Sequence, residues 1–134
     1  MKKLFFAAAL SLTASLASAA PTITCTHAGF SELTIQLVPY NANQFSLRVV
    51  KTGPTGDYMP SVGERSLMNV DPEVSNKDYM ILRSNENEEQ RVFEVSFRRA
   101  DLKQTNGTFP AAIRISQEES DTTFASYEMS CTKN

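Results

Sequence analysis

Two cysteines, Cys25 and Cys131, sit almost at the two ends of the segment left once an export-type leader is set aside from this 134-residue chain. A pair so placed reads first as a disulfide, and a disulfide belongs to an oxidising compartment. It ties the first segment of the domain to the last. Closing a loop of about 105 residues stabilises a fold by roughly 4–5 kcal/mol in a chain-entropy treatment. That is a large share of the ~5–15 kcal/mol typical of a domain. The bridge also removes both thiols from chemistry, and no C-x-x-C spacing suggests a redox pair.

The leader has three parts. Met1-Lys2-Lys3 is a basic start, Leu4 to Leu16 is a mostly apolar run of 13 residues, and Ala17-Ser18-Ala19 supplies small residues. This is the order of a secretory signal peptide. A cut after Ala19 keeps Ala17 and Ala19 in the A-x-A positions, whereas a cut after Ala20 sets Pro21 against the protease. The apolar run falls short of the ~20 residues a membrane-spanning helix needs. Thr22-Ile23-Thr24 does not suit a lipid-bearing Cys25. The expectation is a signal peptide over 1–19, a single β domain over 20–134, and no stable membrane insertion once the signal is gone. The compact two-lysine leader looks bacterial, so the expected location is the periplasm, or the medium if secreted.

Removing 19 of 134 residues leaves 115, enough for one modest core. Lys2 and Lys3 leave with the leader, so 13 basic residues become 11 against 15 acidic ones, a net charge near −4. That balance argues against nucleic acid or an anionic membrane as partner, since both favour a basic face.

Apolar residues recur with period two and not 3.6, the signature of strands. Leu33, Ile35 and Leu37 share one face; Phe45, Leu47 and Val49 resume the pattern after a turn-like 39–44. Phe93, Val95 and Phe97 alternate with Glu94, Ser96 and Arg98. Phe109, Ala111, Ile113 and Ile115 come next. Shorter strands are expected near 65–70 and 78–83, the second with Met80-Ile81-Leu82 apolar on both faces. Ile23 and Cys25 share a phase, as do Ala125, Tyr127, Met129 and Cys131, so both cysteines lie on apolar faces. Since bridged Cα atoms stand about 4.4–6.8 Å apart, the first strand should meet the last. Polar turns at 51–57, 84–90, 106–107 and 117–122 separate the strands, and short helical turns fit 71–77 or 100–104. The predicted fold is all-β: a small antiparallel β-barrel or β-sandwich of about seven or eight strands with disulfide-linked terminal strands.

Most catalytic apparatus fails by counting. His27 is the sole imidazole, lies at a strand end, and has no nucleophile marked near it. A zinc site needs more His or Cys than remain, and the glycines fall in turns with no phosphate-cradling loop. Glu86-Asn87-Glu88-Glu89 and Glu118-Glu119-Ser120-Asp121 read as solvated loop tips; their carboxylates and Asn carbonyl suit calcium, but without EF-hand spacing. No catalytic residue, metal site or cofactor is assigned, and Asn106-Gly107-Thr108, a glycosylation sequon, carries no meaning in a bacterial periplasm.

Two places suit binding. Arg98 and Arg99, joined by Arg83 and Arg91 if the strands pair, form a mild basic cluster suited to an anionic ligand or an acidic groove. The plainer reading is cross-strand pairing with Glu94 or the Glu88-Glu89 loop. The loop 51–64 is the longest stretch without strand periodicity and carries Tyr58 and Met59, expected to be exposed; such loops on rigid scaffolds often bind. The expected function is a non-enzymatic binding or inhibitor module, monomeric, for an unknown protein or small-molecule ligand. The alternatives are an envelope-assembly or structural subunit and a carboxylate-based hydrolase.

Overall fold

A computed structural model describes residues 22–27, 33–52, 59–104, 107–117, 119 and 122–134; the leader over 1–19 lies outside them. Each alternating stretch becomes a strand: β1 (Ile23–His27), β2 (Thr34–Asn41), β3 (Gln44–Lys51), β4 (Arg65–Val70), β5 (Tyr79–Ser84), β6 (Arg91–Arg98), β7 (Thr108–Gln117) and β8 (Thr122–Lys133). A short helix, α1 (Arg99–Leu102), continues directly from β6. All neighbours pair antiparallel in sequence order, and β8 returns to β1, so the strands form a closed eight-stranded barrel.

Closure is what the period-two pattern accomplishes. Every second side chain points inward, and the inner rows are buried along most of the wall, as at Ile35 and Leu37, Leu47 and Val49, Val95 and Phe97, Ile113 and Ile115, while Ala125 and Tyr127 of β8 are half-buried against the same cluster. An eight-stranded barrel is just wide enough for side chains to fill, and here one apolar cluster drawn from all eight strands fills it. Phe97 and Phe109 meet edge to face within it at 6.4 Å. Met80 and Leu82 point inward and are buried, while the outward Ile81 is half-buried. Ile81 is held from outside by its backbone, because Ser75 Oγ accepts its N–H at 2.9 Å and its carbonyl accepts from Asp71 N–H.

The disulfide is the seam where the barrel closes. Cys25 and Cys131 stand directly opposite each other in the β1–β8 ladder, with Cα atoms 4.0 Å apart, both buried. The shared apolar phase of the two cysteines thus becomes one cross-strand pair.

The two mouths of the barrel differ. One gathers the β2–β3 and β4–β5 connections with the β6–β7 connection, where α1 lies; Leu102 packs on the core there, and Lys133 Nζ donates to its carbonyl at 2.6 Å. The other lies where β1 leads to β2, β3 to β4, β5 to β6 and β7 to β8, and the buried Leu33 and Met59 adjoin the strand ends there.

Candidate functional site

The barrel interior is occupied by its own side chains, so the surface and the mouths are where a partner can be held. The clearest feature lies at the α1 mouth. Lys77, Asp78, Tyr79, Arg98, Arg99, Ala100 and Lys103 line a depression of about 490 Å³. Antiparallel pairing of β5 with β6 sets Tyr79 opposite Arg98, which brings the segment before β5 beside the segment after β6.

Backbone hydrogen bonds lock these segments together. Asn76 Oδ1 accepts the N–H groups of Asp78 and Tyr79, both at 2.8 Å. Arg99 N–H donates to the Asp78 carbonyl at 2.8 Å, and Arg99 Nε donates to the Asn76 carbonyl at 2.7 Å. The short asparagine side chain stands in for a backbone turn, a role that Asn performs well. Basic side chains are therefore mounted on a loop already held in place.

The electrostatics of the depression run against those of the chain. Its lining carries Lys77, Arg98, Arg99 and Lys103 against Asp78, whereas the chain as a whole is net acidic. Asp101 lies behind the lining, 1% exposed, and pairs with Arg98 at 3.3 Å. Through that hydrogen bond first, and its charge second, Asp101 raises the Arg98 pKa above its ordinary value. Lys77, Lys103 and Arg99 make no ion pair among the described residues. Three cations thus share one concave surface without a carboxylate of their own.

Of the four arginines expected to cluster, the structure brings together only Arg98 and Arg99. Arg83 stands opposite Glu94, four positions along β5 from Tyr79, or ~13 Å at strand rise. Arg83 pairs with Asp71 at 3.8 Å and Arg91 with Glu89 at 3.1 Å. The hairpin reverses the chain between them, so 83 and 91 fall near one mouth while 98 and 99 fall at the other. Glu94 meets Arg114 at 3.9 Å.

Met59 requires a correction. Expected to be exposed in the loop 51–64, it is 7% exposed and belongs to the core cluster. An apolar side chain at the open end of a barrel gains by covering the interior, and Met adapts well to irregular gaps. Tyr58 lies outside the described residues. The facing ends of β3 and β4 lie at the mouth opposite α1, so the described Met59 and the arginine pair belong to separate surfaces.

Lys77 and Lys103 carry no signal of their own in the sequence. Each is a solitary lysine in a polar connection; only the β5–β6 register and the α1 turn bring them beside Arg98 and Arg99. The one usable hint is that the two segments suited to helical turns, 71–77 and 100–104, flank Tyr79 and Arg98.

A second depression of about 450 Å³ adjoins the first on the outer wall, sharing Tyr79 and Arg98 and bordered by Pro110, Ala112 and Glu128. His27 packs edge to face on Tyr127 at 5.4 Å. Among the described residues, no three His, Cys, Asp or Glu side chains are grouped to hold a metal ion, and no helix is long and apolar enough to cross a membrane. No family model, curated protein or solved structure matches this chain.

Proposed function

We propose that this protein is an exported, non-enzymatic binding module that grips an anionic group of its partner in the depression formed by Lys77, Arg98, Arg99 and Lys103. One observation carries the reading: a net-positive concavity, with three cations lacking carboxylate partners among the described residues, on a net-acidic chain. Arginine planes suit carboxylate or phosphate oxygens, and lysines add point charge. The loop is held by Asn76 before any ligand arrives, which lowers the ordering cost of binding. The buried disulfide agrees with an oxidising compartment such as the periplasm.

The test is a titration of the ¹⁵N-labelled oxidised domain with a hexaglutamate peptide and, separately, with inorganic phosphate. Saturable amide shifts are expected at 77–79 and 98–103, weakening as salt screens the charges. The Lys77→Glu, Lys103→Glu double variant should lose about tenfold or more in affinity. Absence of saturable shifts with both probes refutes the proposal. Response to phosphate alone would redirect it to phosphorylated ligands.

A further inference from the structure

The barrel wall is unevenly stitched. β3 and β4 pair along the whole of β4, down to Arg48 opposite Arg65. β4 and β5 pair at only three positions, Met68 with Ser84, Asn69 with Arg83 and Val70 with Leu82. Toward the mouth opposite α1, Arg65–Leu67 therefore have a strand neighbour on one side only.

Alternation of the backbone shows which groups are left over. Val70 N–H donates to the Asn43 carbonyl, toward β3, at 2.8 Å; Asp71 N–H donates to the Ile81 carbonyl, toward β5, at 2.9 Å. In an antiparallel ladder the direction alternates residue by residue. Asn69, Leu67 and Arg65 consequently face β5. Asn69 meets Arg83, but no ladder pair joins Leu67 to Asn85. The depression there, about 250 Å³, is bounded by Glu64–Leu67 and Ser84–Asn87 and has buried Phe93 among its lining. The outward Leu67 side chain is 46% exposed.

We infer that the Arg65–Leu67 edge of β4 accepts an extended polypeptide segment of a partner as an added strand, with the Leu67 N–H and carbonyl as its main backbone contacts. Strand addition takes its affinity from main-chain hydrogen bonds and its selectivity from alternate side chains. Charge fixes the occupant's chemistry. Glu64 and Glu86 border the depression, and Glu88 and Glu89 lie in the adjoining hairpin, against Arg65 and an Arg91 already held by Glu89. The segment is therefore basic at alternate positions, with apolar residues between them on the outer face to cover Leu67. This surface differs from the cationic depression in both place and sign, so either can fail alone.

The experiment tracks amide hydrogen exchange of the oxidised domain with and without the peptide Lys-Val-Lys-Val-Lys-Val-Lys. In the free protein, the Leu67 amide should exchange much faster than that of Asn69. Adding peptide should slow Leu67 by about tenfold or more, whereas a peptide of equal charge, N-methylated at alternate residues, should not. Leu67→Lys sets a like charge on the edge and should weaken peptide binding by about tenfold with the melting temperature retained. Lys77→Glu with Lys103→Glu should leave it intact. A Leu67 amide already protected as well as Asn69 overturns the inference. So does equal binding of the N-methylated peptide, indifference to Leu67→Lys, or no binding at all.

Discussion

Ser84 Oγ accepts the backbone N–H of Phe93 at 2.9 Å, so a side chain stands where a carbonyl would otherwise continue the β5–β6 ladder. Both residues are buried, Ser84 at 8% and Phe93 at 2% exposure. In Ser84→Ala that amide loses its partner away from water, at a cost of about 1–3 kcal/mol. Urea unfolding measures it; a midpoint unchanged from the parent would mean that another group supplies the bond.

Removing the bridge by Cys25→Ser with Cys131→Ser should lower stability by roughly 4 kcal/mol, because the denatured chain regains the freedom of a loop spanning almost the whole domain. Calorimetry under oxidising conditions should find a melting temperature well below the parent's, and treating the parent with a reductant should move it the same way. Equal melting of bridged and unbridged forms contradicts the role of staple.

Val95 is fully buried in the middle of β6. Truncation to alanine removes two methyl groups from a filled interior and should cost about 1–3 kcal/mol. Val38, on the outer phase of β2 and 38% exposed, gives the contrast: Val38→Ala should shift stability by no more than about 0.5 kcal/mol. If the two variants unfold alike, the inner and outer faces are wrongly assigned.

Met59→Ala should reduce stability by about 2 kcal/mol, the low end for a buried methionine because the site lies near a mouth. Ligand affinity at the α1 mouth should not change. A selective loss of binding with normal melting would return Met59 to the role expected from its loop.

Strand positions are legible in the sequence because burial on one face imposes alternation, and residues such as Phe93, Val95 and Phe97 display it without interruption. The meeting of first and last strands is legible from the phase of Cys25 and Cys131. Barrel against sandwich is not, since both bury every second residue; the choice rests on strand tilt and stagger, which no single strand encodes. Loop residues obey no period, so Met59 looks exposed although the open end of the barrel needs a cover. The arginines need the register itself: Arg83 and Arg98 look close until the hairpin sets one against Glu94 and the other against Tyr79. Lys77 and Lys103 lie 26 residues apart in the chain, and nothing local to either announces the other.

The seam between β1 and β8 has a mechanical corollary. Asn134 N–H bonds to the Thr22 carbonyl at 2.8 Å, and just inside that contact lies the Cys25–Cys131 bond. Tension applied across these two strands reaches a covalent link before it reaches the other ladders. Everything between the cysteines is spared the load, so a pull on the two strands should leave the chain from Cys25 to Cys131 unextended until sulfur is reduced.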